Sequence, residues 1–519
     1  MSFKLIHKTA TSLTLELEGT GCYYPEKNYL LYVNGVLKEQ VKTNCFTIHK
    51  LLPASAVEVK WVSEDRTEEC CEVFYTEEET AVLNVKDFGA IGDGKHLDTV
   101  ALQAAIMAAP KGARVVLPKG IYKSTPLFLK SDMTLELEEG AVLLGEEKRE
   151  KYPILPGVLK NTTDGEDYYL SFWEGTPDAA YASLITGIGI QNTKIVGEGM
   201  IDGNGNQGDW WIDAKVKRTA WRPRTINLVD CKDIVIEGVK IQNSPSWTVH
   251  PIRCQNIRFI NLIIENPKDS PNTDGIDPES CKNVEIIGVR FSLGDDCIAI
   301  KSGKYSMPRE KLIPSERIII RNCLMEFGHG AVVVGSEMSG GVKDVHVERC
   351  LFRNTDRGVR VKTRRGRGST AIIDQIHVEN IKMEGVLTPF TINAFYFCDP
   401  DGKTPYVWDK APLPKDERTP YIGELTFKNI VCRDTEVCAG FIYGLPEEKI
   451  KSLWFKNVSI DFKEDAQADY PEMLSFQEKT LRAGFHFKNV CKLKLENVTI
   501  TNQIGNPLEL EAIEDYLVE

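Results

Sequence analysis

Nowhere in the 519 residues does an uninterrupted apolar run approach the roughly 20 residues that a membrane-spanning helix needs. The opening Met1-Ser2-Phe3-Lys4-Leu5-Ile6-His7-Lys8 also lacks the apolar stretch of a secretory leader. The expectation is a soluble, cytoplasmic protein, extracellular if the sequence has been trimmed. Excess basic charge is missing too: 63 Lys and Arg stand against 75 Asp and Glu, a net charge of −12. That argues against a general affinity for nucleic acid or anionic membrane, and any anionic partner must meet a local basic patch. None of the 14 cysteines shows CxxC spacing. Cys70 and Cys71 are adjacent, and Cys231, Cys254, Cys281, Cys323 and Cys350 sit on apolar segments, so they read as small buried thiols, not as a disulfide framework or zinc site. With 42% hydrophobic and 27% charged residues, disorder and collagen are excluded, and the chain is long enough for one large core plus a smaller module.

Two textures divide the chain at about residue 80. Residues 1–80 carry period-2 stretches such as Ser12-Leu13-Thr14-Leu15-Glu16-Leu17 and Val57-Glu58-Val59-Lys60-Trp61-Val62, with a turn signal at Asn34-Gly35. They predict a small antiparallel β-sandwich. With Tyr29-Leu30-Leu31-Tyr32-Val33 and the Leu51-Leu52-Pro53 turn, the pattern resembles a fibronectin type III module, although several sandwich families read alike. Glu77-Glu78-Glu79 is the expected linker.

From residue 81 to 519 short strands and polar turns recur, after a helix-like run near Asp98 to Ala109. Cys231-Lys232-Asp233-Ile234, Cys254-Gln255-Asn256-Ile257 and Cys281-Lys282-Asn283-Val284 repeat one pattern, and the beat continues at Lys343-Asp344-Val345, Asp374-Gln375-Ile376 and Lys492-Leu493. Each unit holds several β-branched strands and no helical 3.6 period, which favours a right-handed parallel β-helix over a leucine-rich horseshoe. The expected fold is all-β, with inward Val, Ile, Leu and Cys stacking from coil to coil. The small module is expected to cap one end or to wall a cleft, because an exposed end invites edge-to-edge pairing.

Four clusters interrupt the repeat without serving packing: Asn272-Thr273-Asp274, Gly294-Asp295-Asp296, Gly328-His329-Gly330 and Arg360-Val361-Lys362. Residues at one angular position of successive coils lie roughly 5 Å apart, so these groups can share one face. Crowded carboxylates suit glycoside hydrolysis, where one acid must keep a proton while an ionised partner activates water. A calcium site or a solvated acidic face is the plainer alternative.

In this order and on this background, the clusters resemble the polygalacturonases of glycoside hydrolase family 28. The flanks agree: Ser270-Pro271-Asn272-Thr273-Asp274-Gly275-Ile276-Asp277 and Gly294-Asp295-Asp296-Cys297-Ile298-Ala299-Ile300-Lys301. The resemblance covers about residues 82–510, beginning at Asp87-Phe88-Gly89-Ala90. It implies an inverting, single-displacement hydrolysis of α-1,4-linked galacturonides. Asp295 would be the general acid, and Asp274 and Asp296 would hold and deprotonate the attacking water. His329 would assist the acid, while Arg360 and Lys362 would bind the substrate carboxylate. An inverting pair is expected to stand about 6.5–9.5 Å apart. No metal or cofactor is expected.

The run from Arg357 to Arg367 also contains Arg364 and Arg365, a cationic patch in an acidic chain, and arginine forks pair well with carboxylates. Substrate-binding candidates are therefore Arg357, Arg360, Lys362 and Arg365, with Asn272 from the first cluster. Trp247 with His250, and before them Trp210, Trp211, Trp221, Arg222 and Arg224, offer aromatic faces and cations for sugar acids. Asn161-Thr162-Thr163, Asn457-Val458-Ser459 and Asn497-Val498-Thr499 match glycosylation acceptors by chance. Two long segments, 151–183 and 397–420, are rich in aromatics and proline and are expected to wall one end of the cleft. Together with the amino-terminal module they look like bacterial exo-polygalacturonases. Endo action, a rhamnogalacturonan substrate, a calcium-dependent pectate lyase and a non-catalytic polysaccharide-binding β-helix remain alternatives. The expected partner is a pectic polysaccharide or oligogalacturonide, and the oligomeric state is not encoded in any motif.

Overall fold

A computed structural model describes residues 2–19, 21–163 and 165–519. The chain begins with two antiparallel sheets. Phe3–Lys8, Leu13–Leu17 and Cys45–Ile48 form one, and Tyr29–Val33, Val36–Val41, Ala56–Ser63 and Glu69–Tyr75 the other. The period-2 alternation places Val57, Val59 and Trp61 in the core between the sheets, where the Trp61 ring meets the Tyr29 ring edge-on at 4.8 Å. Asn34 and Gly35 both have positive φ, at 50° and 75°, which is what a tight hairpin between two right-twisting strands requires.

The remainder is a right-handed parallel β-helix. Its register bears out the repeat: Ile234, Ile257, Val284, Ile318, Val345, Ile376, Leu425, Leu453 and Leu493 pair in sequence on successive coils. All nine are buried, so each coil covers the apolar column of the next. The Cys of the repeat stack beside them, the Cys231 N–H donating to Cys254 Sγ. The Asp or Asn that follows marks the corner: Asp233, Asn256 and Asn283 are left-handed, at φ 55°, 56° and 56°. Short polar side chains tolerate that conformation, and here they form a ladder, with Asn283 Nδ2 donating to Asn256 Oδ1 at 2.8 Å and Asn256 Nδ2 to Asp233 Oδ1 at 2.7 Å. Of the adjacent pair read as buried thiols, Cys70 is half-buried and Cys71 exposed. They alternate sides on a strand at the sheet edge, outside the coil stack.

The helix Thr99–Ala108 closes the first coil by burying Leu102, Ala105 and Ile106. That leaves the small module elsewhere. Cys45 packs on Ile260 and Ile287, Cys22 and Tyr23 on Leu324 and Leu351, and Glu16 takes ion pairs from Arg321 and Arg349 at 2.9 Å each. The module therefore lies along the flank of the coils, neither capping an end nor walling the cleft. The physical reason is a set of apolar coil residues that belong to no central column and need cover.

Candidate active site

The four clusters arise from one register. Ile276 pairs with Ile298, Ile298 with Val332 and Val332 with Val359, so Asp274, Asp296, Gly330 and Arg357 share a position two residues earlier on successive coils. Asp295 and His329 share the position before that. Lys362 follows Val361, which pairs with Val334 above it. The result is a flank cleft of about 1260 Å³ lined by Asp274, Asp295, Asp296, His329, Arg360 and Lys362, with Asn272 and Trp247 at one side.

One oxygen from each of Asp274, Asp295 and Asp296 lies within 4.8 Å of the others. The carboxylates tolerate the crowding because cations are built in. Lys362 Nζ lies 2.6 Å from Asp296 Oδ2, Arg360 Nη1 3.5 Å from Asp296 Oδ1, and Lys301 Nζ 4.0 Å from Asp274. Such a triad has the spacing of a divalent-metal site, but two ammonium groups and a guanidinium already supply neutralising charge from inside the protein.

Asp274 and Asp295 are shifted in opposite directions. Burial, then the charges of Asp295 and Asp277, push Asp274 well above the usual carboxylate range. Burial pushes Asp295 the same way, but the hydrogen bond and charge of His329 outweigh it and hold Asp295 low. His329 is raised in turn, chiefly by its bond to Asp295. The environment thus favours the protonated form of Asp274 and of His329 and the ionised form of Asp295, whose Oδ1 lies 3.3 Å from His329 Nδ1. Asp274 Oδ1 and Asp296 Oδ1 are buried and accept no hydrogen bond from the protein, although Arg360 Nη1 stands 3.5 Å from the latter.

Three expected substrate contacts are corrected. Arg357 is buried and donates to the carbonyls of Tyr470 and Pro471. Arg365 is buried, paired with Glu447 and bonded to the carbonyls of Tyr406, Asp409 and Ala411. His250 is wholly buried beneath Trp247, bonded to Glu279 at 2.8 Å, and burial lowers it to about 4. A desolvated cation needs several acceptors, and loop carbonyls supply them here, so most of the basic run anchors loops. Trp210 packs on Tyr152 and Tyr181, and Trp221 stacks on Trp173 at 4.4 Å. The Trp211 Nε1–H donates to the Ser244 carbonyl. Arg222 holds Asn272 Oδ1 at 3.0 Å, and Arg224 lies between Trp173 and Trp247. These side chains shape the cleft from behind.

Sequence reasoning missed Lys301, Glu337 and Glu472. Lys301 is 3% exposed, lies over the Trp247 ring at 4.4 Å and meets Glu337 at 3.2 Å and Asp277 at 3.6 Å. A lysine ending the apolar run Cys297 to Ile300 was its signal. Glu472, from the connection 463–482, lies beside Arg360 and had none.

A parallel β-helix with carboxylates gathered in a flank cleft places the protein among the β-helical glycoside hydrolases. A family model described as "Glycosyl hydrolases family 28" matches residues 169–411, and "Rhamnogalacturonase A/epimerase, pectate lyase-like" matches residues 82–150. A probable polygalacturonase of Vitis vinifera is 33% identical over 72% of this chain and 73% of its own length. An exo-poly-alpha-D-galacturonosidase of Dickeya chrysanthemi is 28% identical over 68% of this chain and 62% of its own. The family 28 exopolygalacturonase of Yersinia enterocolitica superposes with a TM-score of 0.73 at 21% identity, covering 99% of this chain and 98% of that one. The chain belongs to glycosyl hydrolase family 28.

Proposed function

We propose that this enzyme hydrolyses α-1,4-galacturonosidic bonds in polygalacturonate or oligogalacturonides by single displacement, releasing units from the non-reducing end. The observation that carries the chemistry is the cluster of Asp274, Asp295 and Asp296, one oxygen of each within 4.8 Å of the others, with His329 Nδ1 3.3 Å from Asp295 Oδ1. A water held between Asp274 and Asp296 loses its proton to Asp296 as it attacks, while Asp274 orients it. The departing glycosidic oxygen takes its proton from Asp295, supplied by His329. Lys362 and Arg360 add the positive charge that an anionic sugar ring needs, and the names of relatives such as the Dickeya enzyme support the substrate class.

The exo reading rests on a wall. The turn at Glu174 and Gly175 and the segment around Asp399 both reach the cleft, and Lys304 joins them: its Nζ lies 3.8 Å from Glu174 and 2.9 Å from Asp399, and its N–H donates to the Gly175 carbonyl. A Cβ on Gly175 would stand 2.9 Å from the Glu337 side chain, so only glycine lets the turn seat there. A chain entering from the open side stops at this wall. The test is a time course of products from polygalacturonate and a short oligogalacturonide, with and without chelator. Monogalacturonate as the sole early product supports the proposal, and mixed early oligomers would mean an open cleft and endo action. An unsaturated, chelator-sensitive product would mean a lyase.

A further inference from the structure

The resemblance implied that Arg360 grips the substrate carboxylate, yet the structure has already occupied its fork. Glu472 is 1% exposed and takes both ends of the guanidinium, Arg360 Nε at 2.8 Å and Nη2 at 2.5 Å. Nη1 is the end turned to Asp296, at 3.5 Å. Burial alone would raise the Glu472 carboxyl, but Arg360 more than offsets it and holds it at about 2, so both partners are charged. The connection 463–482 is fastened without this pair as well: Arg357 bonds the Tyr470 and Pro471 carbonyls, and Asn393 Nδ2 donates to the Met473 carbonyl at 2.9 Å. Holding the loop therefore does not by itself require a carboxylate at 472. A buried acid without a surface role, aimed at a cation that touches the water-activating residue, has an electrostatic consequence.

We propose, on the hydrolase reading above, that Glu472 is a positioning residue: it holds Arg360 back from Asp296 and so sets the positive potential felt by the catalytic carboxylates. Facing Asp296 are Arg360 and Lys362 from the strand Arg357–Lys362, and Lys301 from the coil that carries Asp296 itself. The acids around it are Asp274, Asp277 and Asp295, with His329 behind Asp295 and the Tyr396 hydroxyl beside the two strand cations. Against this background Glu472 neutralises one cation. Its loss lets Arg360 fold onto Asp296 and adds an uncompensated charge at the site.

The test is the pH profile of kcat/KM. Glu472→Gln keeps the shape and removes the charge. A cation near a carboxylate favours its ionised form, so the bell moves to lower pH, by about half a unit or more, while its height falls about tenfold or more. Arg360→Gln moves it the other way, and the double variant returns it toward the parental position. Asn393→Ala, which frees the loop anchor and leaves the ion pair, lowers the bell without moving it. Glu472→Asp keeps the charge and the parental position. A stationary bell in Glu472→Gln, or one that Asn393→Ala moves equally, overturns the proposal. Should Glu472→Gln fail to fold, the Glu472→Asp and Arg360→Gln profiles decide it in the same way. The imidazole titration of His329 in the resting protein reads the same potential without turnover, and it falls in Glu472→Gln if the proposal holds. A parent that hydrolyses no galacturonan would sink the hydrolase reading alone, because that titration still decides the role of Glu472.

Discussion

His329 Nδ1 lies 3.3 Å from Asp295 Oδ1, and the two residues are neighbours on adjacent coils, the His329 N–H donating to the Asp295 carbonyl at 3.2 Å. In the proposed mechanism the acid and its proton source are thus held together by the register of the β-helix. The shared proton is present below the raised value of His329 and is lost as pH rises through it. We expect kcat to fall on the alkaline side with a midpoint above 6.5, the ordinary histidine value. His329→Ala should lower kcat by roughly 10²-fold with little change in KM, and Asp295→Asn by about 10³-fold or more. An alkaline limb unmoved by His329→Ala would remove the imidazole from the proton path.

Single displacement at an α-linkage releases the β-anomer first. Proton NMR of the first-formed galacturonate, read before mutarotation, should show it. An α-anomer would mean that the carboxylates run a double displacement.

Asp277 is buried, neither of its oxygens accepts a hydrogen bond, and Lys301 stands 3.6 Å away. Burial outweighs that cation and raises Asp277 from 3.8 to about 7. The folded state binds this proton more tightly than the unfolded chain, so stability is full below about pH 4 and declines as pH rises to about 7. Asp277→Asn should flatten that decline, so thermal melts from pH 4 to pH 8 should show a gain relative to the parent only on the neutral side. A uniform loss at every pH would contradict it.

Opening the wall should change the product pattern. Lys304→Ala removes the bridge between Glu174 and Asp399, and replacing 397–420 by a short turn removes one side altogether. Longer early products from the shortened protein, with the bond-cleavage rate retained within about tenfold, would locate exo action in that segment. Monogalacturonate alone from both variants would place the stop elsewhere.

The coil period and the chemistry were legible in the sequence because both follow from local register. Asp233, Asn256 and Asn283 recur where the chain must turn through the left-handed region, and Ile234, Ile257 and Val284 recur one residue later inside the column. The same period carried Asp274, Asp296 and His329 to one face. Arg357, Arg365 and His250 shared the motif's neighbourhood but are buried on loop carbonyls, Glu447 and Glu279, since charge alone does not tell a desolvated anchor from a substrate contact.

The sequence by itself determined the repeat, the family resemblance and the identity of the three carboxylates, because strand alternation and coil length are encoded residue by residue. Only the tertiary structure decided which cations neutralise which acids, where the small module lies and how the cleft is closed. Lys304 joining Glu174 to Asp399, and Glu472 meeting Arg360 across more than a hundred residues, depend on connections that leave the coils and return. Nothing periodic links such partners. Their pairing is set by the cost of burying a charge without a counter-charge, which is felt only once the coils have stacked.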